Sequence, residues 1–372
     1  MRKVLFILHL PPPVHGAAVM GQYVKDGRQI NDAFIARFIN LGTSNTVEVI
    51  GRNSLRKVLR YFALFFRVIK QLVVFRPELC YVTPTAKGPG FYKDMPLIAL
   101  VKLFGVRTIL HYHNKGVSTR QDRFFDNLLY RFVFRNSYII LLSDHLYPDV
   151  RRYVPESRVF YCPNGIPDSA QHNELKKADY ETGAPGKPTE ILFLSHLIRS
   201  KGVLVLIESC KLLKGRDIDF HCTIVGGDAE LTKVEVEKII RDQGIESKIS
   251  VIGPKHGAEK DRLLKSADIF VHPSFNDCFP LVLLEAMQYS LPVVSTFEGA
   301  IPDIIDDGIT DFLVPQKDSE ALADKLEILI RDQELRRKMG KAGRARYERE
   351  FTLERFENRM VEILTGVLPA ST

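Results

Sequence analysis

Two carboxylates, Asp277 and Glu285, are separated by a spacing that could serve a single ligand. Asp277 lies in a loop after the apolar run 269–272, which predicts a buried strand, and Glu285 lies in a predicted helix over 280–289. Pro280 is typical of the first turn of a helix, and the free N–H groups and positive dipole end of that turn suit an anion. Glu285 lies roughly 7 Å further along the helix axis. The spacing fits a ligand with phosphates between two hydroxyl-bearing ends, but it also fits a helix-capping aspartate followed by a solvated glutamate.

Alternating short strands and helices must position these residues. In the first half the sequence predicts strands at 4–8, 79–83, 107–111 and 138–142, with helices at 18–27, 54–75, 92–104 and 122–135. In the second half it predicts strands at 191–195, 220–225, 249–252, 269–272 and 292–295, with helices at 202–213, 258–266, 280–289, 319–332 and 351–364. Strands of about five residues that alternate with helices predict parallel sheets covered on both faces.

Turn-forming residues divide the chain into two α/β domains. Glycine and proline are frequent over 163–188, with few apolar residues between them, which is typical of an interdomain linker. We therefore predict a first domain over 1–165, a linker over 166–189 and a second domain over 190–350. Ligands of such sheets bind beyond the carboxyl ends of the strands, so we expect a site in the cleft between the domains.

The composition is that of an ordinary globular protein, because 45% of the 372 residues are hydrophobic and 26% are charged. No apolar run reaches the 18 residues or so that a membrane span requires. Residues 1–9 have the look of a weak signal peptide, but three prolines follow in place of a cleavage site, so we interpret them as a buried strand. The five cysteines form no C-x-x-C pair, which argues against disulfides and structural zinc and fits the cytosol.

The net charge of +7 is unevenly distributed along the chain. Residues 1–165 contain 24 Lys and Arg against 10 Asp and Glu, a balance of +14, whereas residues 166–372 contain 28 against 35, a balance of −7. A basic half favours an anionic partner, which could be nucleic acid, a phospholipid surface or a phosphate-bearing acceptor. The basic residues are not interleaved with an aromatic platform and no nucleic-acid-binding motif occurs, so we expect no nucleic-acid partner.

The predicted helix over 54–75 carries basic residues on one side and apolar residues over the rest of its surface. Arg56, Arg60, Arg67 and Lys70 fall within about 80° of one another around the helix axis. Such a helix can lie in an anionic membrane surface, or it can be a core helix with one solvated basic face. The charge of the whole first half favours peripheral membrane contact through 54–75.

The order of several short motifs resembles glycosyltransferase family 4. Asp277 and Glu285 take the places of the two glutamates in the family's E-x7-E motif. Residues 195–202, 223–227, 266–274 and 298–305 resemble, in the same order, the family's G-R-L-x-x-x-K-G segment, its glycine-rich strand end, its A-D-x-x-x-x-P-S segment and its G-G-x-P-E-I-I turn. In the first half, residues 13–16 and 113–114 resemble its glycine-rich loop and its H-D pair. The resemblance extends over nearly the whole chain.

This resemblance implies a GT-B fold, with two Rossmann-like, doubly wound domains facing a cleft and a C-terminal helix over 351–366 that crosses back to the N-terminal domain. It implies a retaining transfer of a hexosyl-type sugar, without metal or cofactor, from a UDP- or GDP-sugar to a lipid-linked or polysaccharide acceptor in bacterial-type surface glycan synthesis. We expect a cytoplasmic enzyme at the inner face of the plasma membrane. The alternatives are an inactive donor-binding subunit and a nucleotide-sugar 2-epimerase of the same fold.

The motifs also imply roles for individual residues. The catalytic candidates are Lys201 against the donor diphosphate, Glu285 on the ribose, Asp277 at the sugar and His113, which would reach the sugar from the first domain. Lys201 equally fits a surface lysine at a helix start, and His111, on the same strand face, could replace His113. The other donor-side candidates are Gly16, His196, Arg199, Gly226, Pro254 near the base, Phe279 and Leu281 with N–H groups toward the sugar, and Gly299 and Ala300 toward the phosphates. The acceptor-side candidates are Thr83, Lys87, Asn114 and Lys115.

Departures from the family pattern bear on the donor sugar. His196 stands where the family has an arginine, so Arg199 is the alternative diphosphate contact. Asp277 is one methylene shorter than glutamate, and Cys278 and Pro280 replace two glycines of the family motif. No G-x-G-x-x-G or Walker A motif occurs, which argues against a dehydrogenase and a P-loop kinase.

Overall fold

The computed structural model describes residues 1–42, 55–170 and 187–368, with the backbone alone for residues 55–58. They belong to two compact units, Met1–Gly165 with Leu353–Thr372, and Ile166–Thr352. The linker predicted over 166–189 falls mainly on residues 171–186, outside the described residues. The first residue of the helix predicted over 54–75, Ser54, lies outside them as well.

Six parallel strands form the sheet of the first unit, in the order β2-β1-β3-β4-β5-β6. They are β1 (Arg2–Leu8), β2 (Phe34–Asn40), β3 (Leu79–Val82), β4 (Arg107–His111), β5 (Ser137–Leu141) and β6 (Val159–Tyr161). The sequence predicts four of these and misses β2 and β6. Both missed strands lie at the edges of the sheet, where few of their side chains are buried, so the apolar pattern that marks a strand is weak.

The helices of the first unit cover both faces of its sheet. They are α1 (Gly16–Asp26), α2 (Arg28–Ala33), α3 (Leu55–Lys70), α4 (Gly88–Leu103), α5 (Phe124–Phe134) and the C-terminal helix, Leu353–Val367. The crossovers from β2 to β3, β3 to β4 and β4 to β5 run in one direction, so right-handed connections place α3, α4 and α5 on the same face. The crossover from β1 to β2 runs the other way and places α1 and α2 on the opposite face.

The C-terminal helix returns to the first unit, as the family resemblance implied. It packs beside α2, where the Glu357 Oε2 accepts a hydrogen bond from the Gln29 backbone N–H at 2.9 Å. Arg107 of the sheet donates to the Val367 carbonyl near the end of that helix.

The helix predicted over 54–75 changes form part-way. Regular α3 ends at Lys70, and Gln71–Phe75 continue as a π-helical turn. Arg76 adopts a left-handed conformation, with φ of 52°, and its N–H returns to the Gln71 carbonyl. The prediction of one uninterrupted α-helix was therefore wrong beyond Lys70, because the last five residues before Arg76 form a wider π-helical turn.

The second unit repeats the architecture with the strand order β12-β11-β10-β7-β8-β9. Its strands are β7 (Thr189–Leu194), β8 (Phe220–Val225), β9 (Ile249–Ile252), β10 (Ile269–His272), β11 (Val293–Thr296) and β12 (Phe312–Val314). Its helices are α6 (Val203–Gly215), α7 (Lys233–Asp242), α8 (Ala258–Ser266), α9 (Leu281–Gln288), α10 (Ile301–Ile304), α11 (Ser319–Arg331) and α12 (Gln333–Glu350). The Leu353–Val367 helix of the first unit is accordingly α13. The sequence misses α7, α10 and β12, of which the last two are four and three residues long.

Each sheet has one point where the strand order reverses. In the first it lies between β1 and β3, and in the second between β7 and β10. The connections on either side of such a point leave in opposite directions, which opens a crevice at the carboxyl ends of the two strands. The loops after β7 and β10 carry five of the predicted residues: His196, Arg199, Lys201, Asp277 and Phe279.

A close crossing fixes the position of α9 against α12. A Cβ atom on Gly340 of α12 would lie 1.9 Å from the Ser290 carbonyl oxygen, just after α9, whereas a Cβ on Gly215 at the end of α6 meets no atom within 4 Å. Both glycines are helical, and alanine is the better helix former by about 1 kcal/mol.

We therefore expect opposite effects from two matched substitutions. Gly340→Ala should lower the free energy of unfolding by about 1–3 kcal/mol, because backbone must move to admit the methyl group. Gly215→Ala should leave it unchanged or raise it by up to about 1 kcal/mol. Urea unfolding followed by circular dichroism measures both, and equal midpoints for the two variants would contradict the close crossing.

Candidate active site

The loops after β7 and β10 bring two of the predicted catalytic residues together. Lys201 ends a short 3-10 turn after β7, and Asp277 lies between β10 and α9. The Lys201 Nζ donates to the Asp277 Oδ2 at 2.5 Å and to the Asn276 carbonyl at 3.4 Å. The two side chains are 23% and 15% exposed, so the ion pair is partly buried. Lys201 is therefore no free surface lysine.

Asp277 is held by several further hydrogen bonds. Its Oδ2 also accepts from the His272 Nε2 at 3.1 Å, its Oδ1 accepts from the Cys278 N–H at 2.9 Å, and its own N–H donates to the Glu298 Oε1 at 2.9 Å. Burial alone would raise the pKa of the Asp277 carboxyl, but the hydrogen bond from His272 and the charge of Lys201 outweigh it and hold that pKa well below its usual value. Asp277 is therefore a carboxylate at neutral pH.

His272 is a site residue that the sequence analysis missed. It is the last residue of β10, its side chain is buried, and its Nδ1 has no hydrogen-bond partner among the described residues. Because the Nε2 faces a carboxylate oxygen, that nitrogen must carry a proton. A polar histidine at the carboxyl end of a buried strand, five residues before Asp277, was the available signal.

Glu285 also has a lysine partner. It lies in the second turn of α9, and its Oε1 accepts from the Lys260 Nζ of α8 at 2.7 Å. The side chains are 23% and 28% exposed, so the simple alternative of a fully solvated glutamate does not apply. Lys260 was missed because α8 is a short, highly charged helix in which no single lysine stands out.

The N-terminus of α9 lies between the two carboxylates in the sequence and has no side-chain cap. Pro280 occupies the N-cap position and provides no side-chain cap. The Leu283 N–H donates to the Pro280 carbonyl at 3.1 Å, so the N–H groups of Leu281 and Val282 are the ones left without an intrahelical partner. Phe279 contributes its backbone only, because its ring is buried edge-on against Phe351 at 6.0 Å between centroids. The helix end retains the features that suit an anion.

Two of the predicted phosphate contacts have structural reasons for their residue types. Gly299 has a φ of +56°, and a Cβ there would lie 2.4 Å from the Asp277 carbonyl oxygen. Ala300 is fully buried, and its N–H donates to the Cys278 carbonyl at 2.8 Å. The Ala300 N–H is therefore already bonded within the protein, and the approach of Ala300 to a phosphate stays a prediction.

The other donor-side candidates differ in accessibility. Gly226 lies against the loop after β7, and a Cβ there would lie 1.8 Å from the Ser195 carbonyl oxygen. The close approach of the two loops therefore requires glycine at this position. His196, Arg199 and Pro254 are exposed. The Arg199 backbone N–H is bonded to a glutamate at 3.1 Å, but its guanidinium stands at the surface.

In the first unit, two histidines and a threonine lie close together at the reversal point of the sheet. His9 follows β1, and its N–H donates to the Thr83 Oγ1 after β3 at 3.1 Å. His15 caps α1 by accepting from the Ala18 N–H at 3.3 Å, and its ring lies edge-on to His9 at 5.8 Å between centroids. Burial lowers the pKa of His9 to about 4 and lowers that of His15 as well. These rings are neutral at physiological pH.

His111 and His113 differ as candidates for ligand contact in their hydrogen bonds and in their burial. The His111 Nδ1 is bonded to the Tyr81 hydroxyl at 2.6 Å, and its side chain is fully buried in β4. The two histidine rings lie 4.1 Å apart, as expected for one strand face. His113 is half-buried, its Nδ1 has no hydrogen-bond partner in the described part of the chain, and burial lowers its pKa to about 3. His113 is the better placed of the two to meet a ligand.

Two of the acceptor-side candidates hold loops together instead of facing solvent. Thr83 is buried, and its side chain is bonded to the His9 N–H. The Asn114 Oδ1 accepts from the Ala86 N–H at 2.6 Å and so ties the loop after β4 to the loop after β3. Both side chains are therefore used in internal hydrogen bonds, and their acceptor-side role stays a prediction.

The remaining first-unit candidates are more open. Lys87 is exposed at the N-cap position of α4, and its aliphatic carbons lie where a Cβ on Gly116 would stand. Lys115 is half-buried. Gly16 begins α1, with no atom within 4 Å of the place that a Cβ would occupy, so its surroundings can admit a ligand.

The sequence of the second half decides the family. Residues 176–346 match the profile of the family described as "Glycosyl transferases group 1". This half of the chain is therefore similar to the group 1 glycosyl transferases. The amylovoran biosynthesis glycosyltransferase AmsK of Erwinia amylovora is 34% identical over 185 residues, which are 48% of this chain and 45% of AmsK. The chain spans about half the length of the curated relatives that it matches.

Solved structures of this family type extend the similarity to the whole fold. Sucrose-phosphate synthase from Thermosynechococcus elongatus covers 100% of both chains with a TM-score of 0.78 and 18% identity. HepE of Anabaena, determined in complex with UDP, covers 98% of this chain and 100% of its own with a TM-score of 0.75 and 15% identity. The fold is GT-B, as the motifs implied, and family 4 is consistent with the match.

The ion pair predicts a pH-dependent contribution to stability. Asp277→Asn should lower the free energy of unfolding at pH 7 by about 2 kcal/mol, less than the 3–5 kcal/mol of a fully buried pair. The folded-state pKa of Asp277 lies below its unfolded value of about 3.9, so this contribution is complete above that pH and is lost as the pH falls through the folded-state pKa. Denaturant unfolding between pH 7 and pH 3 should show the two proteins converging only below about pH 4. Asp242→Asn, at an exposed carboxylate of α7, is the control, and a difference that persists unchanged in acid would contradict the assignment.

Proposed function

We propose that the protein is a retaining glycosyltransferase that moves a hexosyl-type sugar from a nucleoside diphosphate to a lipid-linked or polysaccharide acceptor. The observation that carries this proposal is the arrangement around α9. An uncapped helix N-terminus has a lysine–carboxylate pair just before it, Lys201 with Asp277, and another within it, Lys260 with Glu285. Such a site offers cations and N–H groups to a diphosphate, and carboxylate oxygens to hydroxyl groups.

Lys201 would exchange partners when the donor binds. In the described state its ammonium group is bonded to Asp277, while that carboxylate has other donors in His272 and the Cys278 N–H. Asp277 can therefore give up Lys201 to a diphosphate without becoming an unpaired buried charge. A cation held against the leaving group stabilises the negative charge that develops there, which is the usual route to a large electrostatic rate enhancement.

The reaction needs no protein nucleophile in this proposal. The bond from the sugar anomeric carbon to the diphosphate breaks, and a bond from the acceptor oxygen forms on the same face. The departing phosphate takes the acceptor proton, so the anomeric configuration is retained and no metal is required. The neutral histidines of the first unit, His113 above all, suit hydrogen bonds with uncharged hydroxyl groups.

The donor and acceptor classes are supported by the relatives. AmsK is described as an enzyme of amylovoran biosynthesis, and HepE is described in complex with UDP. By analogy we propose a UDP- or GDP-sugar as donor and a growing surface glycan or its lipid carrier as acceptor, handled at the cytoplasmic face of the membrane. No helix among the described residues is long and apolar enough to cross a bilayer.

Peripheral membrane contact through the predicted helix 54–75 fits the described part of α3. Leu59, Phe62 and Phe66 are each more than half exposed on its outward side, whereas Leu64 and Val68 are buried. A helix that exposes large apolar side chains beside basic ones is suited to an anionic lipid surface.

A thermal-shift experiment tests the donor site. UDP, GDP and their common sugars would each be added to the purified protein, with Mg²⁺ or with EDTA. A ligand at 100 times its dissociation constant should stabilise the fold by about 2.7 kcal/mol, with one diphosphate preferred, no need for metal, and the effect lost in Lys201→Ala and Glu285→Gln. No shift with any of them would favour an inactive subunit, and interconversion of the donor sugar without an acceptor would favour a 2-epimerase.

The ion pair of Glu285 predicts a role for Lys260 in reading the ribose. Lys260→Met should free the glutamate to change orientation, raise the donor KM by about tenfold and affect kcat less, because the interaction is made in the ground state too. The preference for UDP over 2′-deoxy-UDP should fall with it, which a purely structural lysine would not affect. Lys265→Met, on another side of α8, is the matched control, and an unchanged preference in Lys260→Met would exclude this role.

A further inference from the structure

Exposed large apolar side chains are concentrated on one layer of the first unit. Among the described residues of the second unit, four large apolar side chains are exposed, and they are far apart in the sequence: Val234, Phe297, Ile309 and Ile328. The layer of α3, α4 and α5, with the π-helical turn after α3, carries many more: Leu59, Phe62, Phe66, Val73, Val74, Tyr92, Leu103, Phe104, Phe124, Phe125, Leu128 and Phe132. Contiguous exposed apolar surface of this kind marks an interaction site.

The densest part of this surface lies on α5, which sequence patterns did not single out. Phe124 and Phe125 at its start are 76% and 74% exposed, and Leu128 and Phe132, one and two turns later, are 57% and 41% exposed. The opposite side of the same helix is buried through residues such as Tyr130 and Phe134. We call Phe124, Phe125, Leu128 and Phe132 the α5 patch.

Basic groups surround the α5 patch, and the nearby acidic groups are neutralised. Arg123, Arg131 and Arg135 are exposed around it. Asp122 is paired with Arg152 at 2.7 Å, and Asp126 is buried, where it accepts from the Tyr92 hydroxyl at 2.5 Å and lies 3.8 Å from Arg120. Lys102 of α4 donates to the carbonyls of Phe132 and Arg135 at the end of the helix. The patch is therefore apolar at its centre and cationic at its rim.

The α5 patch and the exposed side of α3 belong to the same face of the sheet. The three crossovers place α3, α4 and α5 side by side, and hydrogen bonds link neighbouring helices. The Tyr61 hydroxyl of α3 donates to the Lys93 carbonyl of α4 at 2.8 Å, and Lys102 joins α4 to the end of α5. The sequence of α3 from 55 to 70 contains three arginines, two lysines at 57 and 70, and no acidic residue.

We propose that the α5 patch is a membrane anchor that binds anionic phospholipid bilayers together with α3. Aromatic and aliphatic side chains surrounded by arginines match the boundary between acyl chains and negatively charged headgroups. Charge complementarity selects this occupant over a second copy of the chain, because two such faces would bring their arginine rims together. The inference extends the membrane contact proposed above from one helix to a face, and it is independent of the donor chemistry.

Vesicle co-sedimentation of the full chain tests this anchor. Wild-type protein should bind vesicles of phosphatidylcholine with phosphatidylglycerol, bind pure phosphatidylcholine vesicles far less, and lose affinity as salt is raised. Phe124→Ser/Phe125→Ser/Leu128→Ser should weaken binding to the anionic vesicles by about tenfold or more, as should Phe62→Ser/Phe66→Ser in α3. Val234→Ser/Ile328→Ser, at exposed apolar residues of the second unit, should bind as the wild type does.

Several results would overturn the anchor. They are unchanged vesicle binding by the α5 variant, equal binding to neutral and anionic vesicles, or a wild-type dimer in sedimentation velocity that the α5 substitutions abolish. The circular dichroism spectrum and the thermal midpoint of the same variants, measured without ligand, should match those of the wild type and so show that the variants are folded. If the protein binds anionic vesicles as expected but shows no thermal shift with any nucleotide or nucleotide-sugar, only the glycosyltransferase proposal is refuted.

Discussion

The ion pair between Lys201 and Asp277 joins two loops whose residues are 76 positions apart in the sequence. It can form only because the strand order reverses between β7 and β10 and leaves their carboxyl ends side by side. Glycines permit the close approach, since a Cβ on Gly202 would lie 2.1 Å from the Pro273 carbonyl oxygen and a Cβ on Gly299 would lie 2.4 Å from that of Asp277. Both glycines also have positive φ, which other residues adopt at a cost. The site thus depends on backbone contacts that tolerate no side chain.

The two units place opposite kinds of polar group at their reversal points. In the second, lysines and carboxylates form ion pairs, beside a helix N-terminus that has no side-chain cap. In the first, burial keeps His9 and His113 uncharged, with pKa values of about 4 and about 3. A charged diphosphate is matched by the former, and neutral hydroxyl groups by the latter. This difference gives the polar groups of each unit a distinct chemical character.

Sequence patterns predicted the central strands well and the edges poorly. Central strands such as β3 and β10 are mainly apolar and are buried at every residue, so their sequence pattern is clear. Edge strands β2 and β6 are buried on fewer sides, and their residues look like ordinary surface segments.

The candidate site shows the same limit. Lys201, Asp277 and Glu285 could be found because motifs mark them, but their partners His272 and Lys260 could not, because a partner is defined by a contact across two elements. The internal hydrogen bonds of Thr83, Asn114 and Ala300 could not be foreseen for the converse reason: a motif does not reveal that a polar group is already bonded within the protein.

The outward face of α3 to α5 illustrates a further limit of periodicity. The α5 helix is apolar on nearly all sides, a pattern that ordinarily indicates complete burial. In the structure Tyr130 and Phe134 fill the inner side while Phe124 and Leu128 stand in solvent, so the same composition serves two environments. Burying the exposed side chains is favourable in proportion to their apolar area, and the arginines around them restrict which surface can cover that area. The composition of α5 therefore does not tell which of its apolar side chains belong to the core and which form a docking surface. Only the position of the helix on the sheet decides that.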